Sequence, residues 1–301
     1  MEAALLGVYT ARMSLDRSDP PVAPQPPTRP APEGACDTHI HMLANDMPMW
    51  PGRVEDPAAL GFADYLAVWR AEMAANGIDR TVVVQSILYG TDNTVTLRTV
   101  EELGRNAARA VVLVTDQVTD AELDELVARG AVGVRLNYVH GGVLTWDGVE
   151  AIAPRLADRG LHIQMLCMAD RHLPDLASRI AALPVPVVLD HMAWPNVSAG
   201  PTEPGFATLC RLLERHDVYV KLSAPYRLAE APFDRLDDHI RALLAANAQR
   251  CLWGSDWPQI MLNGARRASG GTLLDAFDRV CPNDATRNAV LVDNPARLYG
   301  F

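Results

Sequence analysis

Two histidines one residue apart, in Asp37-Thr38-His39-Ile40-His41, are of a type and spacing that could do chemistry. In a β-strand, alternate side chains share a face, so His39 and His41 would project side by side. Two adjacent imidazoles can bind a metal or polarise a carbonyl oxygen. The pair alone equally fits a strand end carrying two solvated or internally satisfied rings, so the rest of the chain must decide. Its distant counterpart is Asp256, in Trp253-Gly254-Ser255-Asp256-Trp257-Pro258, a carboxylate able to take a proton from water.

Such residues need strands to hold them, and from Ala35 the chain alternates apolar runs of strand length with amphipathic helical stretches. Strands are expected over 35–42, 81–87, 110–115, 132–137, 161–166, 185–191, 218–223 and 250–256. Helices are expected over 62–76, 93–105, 173–183, 205–216, 233–247 and 273–280. One more helix should open with the capping box Thr119-x-x-Glu122 and stop at Gly130, and another should open with Asp147-x-x-Glu150 and close at Gly160. A C-terminal pair of short helices follows, the last entered through Asn294 as N-cap and Pro295 in its first turn. Eight strand–helix units predict a (β/α)8 TIM barrel, a single domain over 35–301, and continuous apolar strands suit a parallel sheet covered on both faces. No G-x-G-x-x-G follows the first strand, which removes the commonest reason for an open doubly wound sheet. Residues 1–34 are expected to be a separate N-terminal arm, in which 15–34, dominated by Pro, Asp, Ser and Arg, cannot be helix or central strand and reads as an extended arm or a disordered lead-in.

In such barrels the active site gathers at the C-terminal ends of the strands. Those ends carry His39 and His41, Gln85, Thr115-Asp116, Arg135 and Asn137, Gln164, Asp190-His191, Lys221 and Ser223 with Tyr226 and Arg227 beyond, and Asp256. Polar groups are costly inside strands unless satisfied, so their clustering at one end argues for a site. Blander readings stand beside this one. Lys221 could simply pair Asp116 or Asp190. Gln85 and Gln164 could bridge barrel hydrogen bonds. Trp50, Tyr89, Tyr138, Trp194 and Trp257 could wall a pocket or only pack. His162, His172, His216 and His239 lie at strand starts or on helices and read as structural, while His140 sits in a loop near the site.

The bulk numbers set outer bounds. With 27 Lys and Arg against 37 Asp and Glu, the formal charge is −10 and no basic block occurs, which excludes nucleic-acid binding. An anionic substrate would need local Arg or Lys to be held against that field. The five cysteines are scattered without C-x-x-C spacing, so neither a disulfide framework nor a zinc knuckle is indicated, and a reduced, cytoplasmic setting is expected. No apolar run is long enough for a membrane span. The short apolar run at 3–8 follows Glu2 rather than a basic region and is not read as a signal peptide. A homo-oligomer is possible.

The same residues resemble a known family. His-x-His on strand one, His191 in Leu189-Asp190-His191-Met192 and the Trp253–Pro258 ending look like the amidohydrolase superfamily, within it the amidohydrolase-2 branch of 2-pyrone-4,6-dicarboxylate lactonase and sugar-acid lactonases. Val82-Val83-Val84-Gln85, Thr91-Asp92-Asn93, Gly133-Val134-Arg135-Leu136-Asn137, Lys221-Leu222-Ser223 with Arg227, and Leu291-Val292-Asp293-Asn294-Pro295 with Arg297-Leu298-Tyr299 are similar to that branch too, over about residues 34 to 300. The resemblance implies hydrolysis of a small anionic lactone. Asp256 would be the general base, and His39, His41 and His191 would polarise the carbonyl directly or through a metal. Arg135 and Arg227 would hold a substrate carboxylate, with Gln85, Asn137, Tyr226 and Trp194 as further substrate contacts. Strands four and five lack the extra Lys, Glu or His ligand of many metal-dependent relatives. A binuclear site is therefore not expected. A mononuclear site at His39, His41 and Asp256, holding one divalent ion such as Zn, and a metal-free site both stay open. Trp194 stands where the pyrone lactonase pattern has Arg, which favours a substrate with fewer anionic groups or a larger apolar part. A decarboxylase, a lactone isomerase and a non-catalytic metabolite-binding barrel are the competing readings.

Overall fold

The structure, a computed structural model, describes residues 15–301; the apolar run at 3–8 lies outside them. Eight parallel strands follow one another in the sheet in sequence order. They are β1 (Cys36–Ile40), β2 (Arg80–Val84), β3 (Ala108–Val112), β4 (Ala131–Asn137), β5 (His162–Leu166), β6 (Val187–Leu189), β7 (Val218–Ser223) and β8 (Cys251–Gly254). Between them run α1 (Phe62–Asn76), α2 (Thr94–Leu103), α3 (Asp120–Ala128), α4 (Trp146–Ala157), α5 (Ala169–Ala182), α6 (Pro204–Arg215) and α7 (Asp237–Asn247), and α8 (Gly270–Val280) follows β8. The expected (β/α)8 barrel is therefore the fold.

The ring closes between β8 and β1 by side chains as much as by backbone. Thr38 donates to Trp253 O at 2.7 Å, and Asp37 Oδ1 accepts from Ser255 N at 3.0 Å. Backbone bonds from Asp256 N to His39 O and from His41 N to Trp257 O, at 2.9 and 2.7 Å, finish the seam. Asp37 is buried, which pushes its carboxyl up to about 7. The strands are apolar on both faces. Cys36, Val82, Val84, Val111, Val188, Tyr219 and Leu252 pack inside the barrel with Tyr299, while a separate, larger cluster lies between sheet and helices.

Local chemistry sets the helix starts. Thr119 accepts from Glu122 N at 3.2 Å and Glu122 accepts from Thr119 N at 2.7 Å, the expected capping box. The start of α4 differs from expectation: Thr145 is the cap, accepting from Gly148 N at 3.1 Å. Asp147 and Glu150 face outward and pair with Arg179 of α5, at 2.9 and 2.7 Å. The C-terminal segment also differs. Asn294-Pro295 does not begin a fresh helix, because α9 (Asp284–Asn288) passes through a π turn over Ala289–Asp293 straight into α10 (Asn294–Tyr299). Pro295, with no N–H to give, falls where the helical ladder is already shifted. Asn294 instead turns inward and donates to Ala248 O and Cys251 O, both at 2.8 Å.

Residues 15–34 run over the barrel without a helix. Their prolines leave backbone carbonyls free, and arginines of the barrel bind these. Arg267 donates to Asp19 O and Pro20 O, both at 2.8 Å, and Arg287 to Arg29 O and Pro30 O at 3.2 and 3.0 Å. Thr28 adds two bonds to Asp275.

Candidate active site

β1 brings His39 and His41 to the C-terminal mouth as the period-two spacing predicts. Their Nε2 atoms lie 3.3 Å apart, and both face Asp256 Oδ1, at 3.6 and 3.5 Å. His191 Nε2 lies 3.9 Å from the same oxygen. Asp256 and His39 are 1% and 0% exposed, so this is a dry, low-dielectric cluster.

Two of these groups are aimed by strained backbone. β6 ends two residues earlier than expected, at Leu189 rather than His191. His191, Met192, Ala193 and Trp194 then all take positive φ, between 35° and 56°, and Asp256 takes 59°. For non-glycine residues each such conformation costs about 1–3 kcal/mol and persists only where the surroundings impose it. Here the turn swings His191 over the barrel mouth, where Ser223 bonds its Nδ1 at 2.8 Å.

An outer partner settles which nitrogen of His41 is free. His41 Nδ1 lies 2.8 Å from Val84 O, a carbonyl that can only accept, so neutral His41 carries its proton there and turns a bare Nε2 inward. His39 Nδ1 lies 3.2 Å from Asp190 Oδ1, and burial holds this ring well below the ordinary imidazole range. Burial also lowers His191, to about 4. Burial alone would raise the Asp256 carboxyl, but the neighbouring His191 and Arg227 hold it well below the usual range. Asp256 Oδ2 accepts from Tyr226 OH at 2.5 Å and from Arg227 Nε at 3.2 Å, which leaves Oδ1 for the histidines.

The remaining sequence-derived candidates fall into two groups. Arg135 is buried and donates to Gln85 O at 2.6 Å, while its Nε has no partner among the described residues. With Asn137 it lines a small, mainly apolar cavity that includes Trp50, Ile87 and Leu144. Trp194, Tyr226 and Arg227 line a second, larger cleft of about 1280 Å³, walled on one side by Val22, Ala23 and Gln25 of the arm. Other groups are consumed by the scaffold. Gln85 uses its whole amide, donating to Gly90 O and Asp92 O at 2.9 and 2.8 Å and accepting from Thr96 at 2.6 Å. Arg227 spends its other donors on Met261 O and Ile260 O at 3.0 and 2.8 Å, so it braces the loop that carries Asp256. Trp257 packs against Trp69 and Tyr65, and Tyr89 OH bonds the Ala44 backbone. Lys221 pairs Asp190, 3.6 Å away, rather than Asp116.

The donor set suits one cation. His39, His191 and Asp256 offer ligand atoms within 4.8 Å of one another, all buried, and His41 adds a fourth lone pair beside them. Neutral imidazole nitrogens and a carboxylate are ordinary ligands of a mononuclear zinc-type site. The group within reach is thus centred on His39, His191 and Asp256 as well as on the pair His39 and His41.

Known proteins bear on this geometry. Over 291 residues the chain is 33% identical to a 2-pyrone-4,6-dicarboxylate hydrolase of Comamonas testosteroni, covering 92% of this chain and 93% of that one. It is also 33% identical over 277 residues to a 4-sulfomuconolactone hydrolase of Rhizobium radiobacter, covering 89% and 91%. The crystal structure of an Agrobacterium tumefaciens protein in its apo form superposes with a TM-score of 0.81 at 28% identity, covering 91% of this chain and 98% of that one. Among the described residues no helix is long and apolar enough to cross a membrane. The family model described as amidohydrolase matches residues 36–301, and the chain belongs to the amidohydrolase family.

Proposed function

We propose that this enzyme opens a carboxylated or sulfonated lactone by attack of water, with Asp256 as the general base. The observation that carries the reading is the convergence of Asp256 Oδ1 with three imidazole Nε2 atoms at 3.5, 3.6 and 3.9 Å in a buried site. Asp256 Oδ1 and His41 Nε2 are acceptor atoms, and a water placed beside them would give them its protons and aim an oxygen lone pair outward. Asp256, held ionised, takes one proton as that oxygen bonds to the lactone carbonyl carbon. When the tetrahedral adduct collapses, the ring C–O bond breaks and Asp256 returns the proton to the leaving oxygen. The product is the open hydroxy or oxo acid, with one water consumed.

Polarising the carbonyl is a separate task. Neutral His41 has no inward N–H, so that ring does not donate to the carbonyl; an Nε2–H on His191 or His39, or a positive charge held by the cluster as a proton or a divalent metal, would polarise it. One ion such as Zn²⁺, held by His39, His191 and Asp256 beside His41, would supply Lewis-acid polarisation of the carbonyl. Turnover with and without chelator separates these two forms.

An anionic substrate is supported by charge placement. In a chain of net charge −10, the cleft of about 1280 Å³ is lined by Arg171, Arg227, Arg235, Arg266 and Arg267 against only Asp170 and Glu230. A cleft lined by one sign of charge concentrates the opposite ion. Arg135, buried with an unused Nε, is the group for the carboxylate nearest the reacting bond. Trp50, Ile87 and Leu144 would face the apolar part of the substrate. A pH-indicator assay on a panel of anionic lactones tests the reading: acid release is the expected result. A new lactone without acid release would instead mark an isomerase, and carbon dioxide from a carboxylated ring acid would mark a decarboxylase.

A further inference from the structure

The strand that carries His39 and His41 is irregular just before it reaches the site. β1 holds one residue more than β2 over the same stretch, because Asp37 lies opposite Thr81 and Ile40 opposite Val83. Such a bulge leaves backbone groups unpaired and re-aims side chains. The neighbour on the other side, β8, does not pair them by backbone. Among the described residues, backbone bonds from the β8 side to β1 begin only with Asp256 N to His39 O at 2.9 Å, next to the bridge between Ile40 and Trp257. The N–H groups of His39 and Ser255 are thus left over in a buried seam, where an unpaired N–H is costly. One atom takes both. Asp37 Oδ1 accepts from His39 N and from Ser255 N, each at 3.0 Å. Both donors are backbone groups, so the direction of these bonds is the same whatever the charge of the carboxyl.

His39 is therefore tied at both of its backbone ends to the segment that carries Asp256. Its C=O binds Asp256 N directly, and its N–H reaches Ser255 N, one residue earlier, through Asp37 Oδ1. Gly254 lets the two chains come this close: a Cβ there would lie 2.8 Å from His39 Cβ and 3.0 Å from His39 N. The same frame borders Asp256 at its positive φ of 59°, a conformation that the surroundings must impose. We infer that Asp37 is a positioning residue, whose single oxygen bridges His39 N and Ser255 N and so sets the 3.6 Å approach of His39 Nε2 to Asp256 Oδ1. Thr38 closes the same seam through its bond to Trp253 O at 2.7 Å and touches neither end of this bridge. The two neighbouring side chains thus separate aiming the site from merely closing the barrel.

Crystal structures of the full-length chain and its variants read the geometry, and only the kinetic arm rests on the lactonase reading. Asp37→Leu keeps the branched shape of the side chain and removes the acceptor. The separation of His39 Nε2 from Asp256 Oδ1 should then change by about 0.5–1 Å, and with a lactone that is turned over kcat should fall about 10- to 100-fold with KM within about threefold. Asp37→Asn keeps an oxygen for both N–H groups and should hold the separation and hold kcat within about threefold. Thr38→Val breaks the other seam bond, so the unfolding midpoint should fall while kcat stays within about threefold. A crystal structure of the unmodified chain in which Asp37 does not bridge the two N–H groups overturns the inference outright, whether or not any variant folds. A folded Asp37→Leu variant with the original separation overturns it as well. So does a folded Asp37→Asn variant that loses kcat more than about tenfold, or a Thr38→Val variant that loses as much as Asp37→Leu. If no lactone is hydrolysed, the proposed function fails while the structures still decide the role of Asp37.

Discussion

Tyr226 donates its hydroxyl proton to Asp256 Oδ2 at 2.5 Å, on the side of the carboxylate away from the histidines. The two oxygens of one carboxylate are thus divided. Oδ2 is held by the turn after β7 through Tyr226 and Arg227, and Oδ1 is presented to the site. Burial and the adjacent carboxylate push the Tyr226 hydroxyl well above its ordinary range, so it stays a donor throughout the working pH range. Tyr226→Phe should leave the fold intact and lower kcat by about tenfold, the value of one bond to a charged group. Unchanged kcat would show that Arg227 alone orients the base.

Arg135 and Arg227 were equivalent as candidate anion clamps in the sequence, and the structure separates their expected effects. Arg135→Met should raise KM for a carboxylated lactone roughly 10- to 100-fold with little change in kcat, because it removes a charged hydrogen bond to bound substrate. Arg227→Met should lower kcat instead, since Arg227 bonds Asp256 and the Ile260 and Met261 carbonyls. Steady-state kinetics of both variants on one substrate reads the split, and the reverse pattern would exchange their roles.

The arm and the base-bearing loop are joined by Arg267, which donates to Gln259 O at 2.9 Å as well as to Asp19 O and Pro20 O. Gln259 N in turn bonds Asp256 O at 2.9 Å. Arg267→Ala should therefore cost about 1–3 kcal/mol in urea unfolding and lower kcat together. A loss of stability with full activity would place the arm outside the site's support.

His162 lies at the opposite end of the barrel interior from the site, its ring packed near Tyr299 with a centroid separation of 5.4 Å. Burial lowers it to about 3. Between pH 6.5 and that value the unfolded chain holds a proton on this ring that the folded chain lacks, so stability falls as pH falls through this window. From pH 6.5 to pH 5 the loss is about 2 kcal/mol. Urea melts of His162→Phe should lose that part of the acid sensitivity; identical pH dependence in variant and unmodified chain would show that the ring protonates without penalty.

The fold was legible because eight apolar runs separated by helical stretches carry a period that few other architectures share, and the Thr119 capping box is a purely local device. His39 and His41 were legible for the same reason, since two-residue alternation at a strand end is local geometry. The aim of His191 was not. Nothing in Asp190-His191-Met192-Ala193-Trp194 contains a glycine to announce a left-handed run, and only tertiary packing imposes one. The start of α4 was misplaced because Asp147-x-x-Glu150 satisfies the same pattern as Thr145, and what decides is Arg179 on a neighbouring helix. The bracing role of Arg227 is likewise a long-range contact, with carbonyls more than thirty residues away.

The central claim is that Asp256 takes the proton of the attacking water. Asp256→Asn tests it most directly, because Asn tolerates the positive φ of 59° and leaves the backbone undisturbed. Acid release from the anionic lactone panel should fall by about 10²- to 10⁴-fold with the unfolding midpoint nearly unchanged. A folded Asn variant that opens the lactone at the original rate would contradict the account.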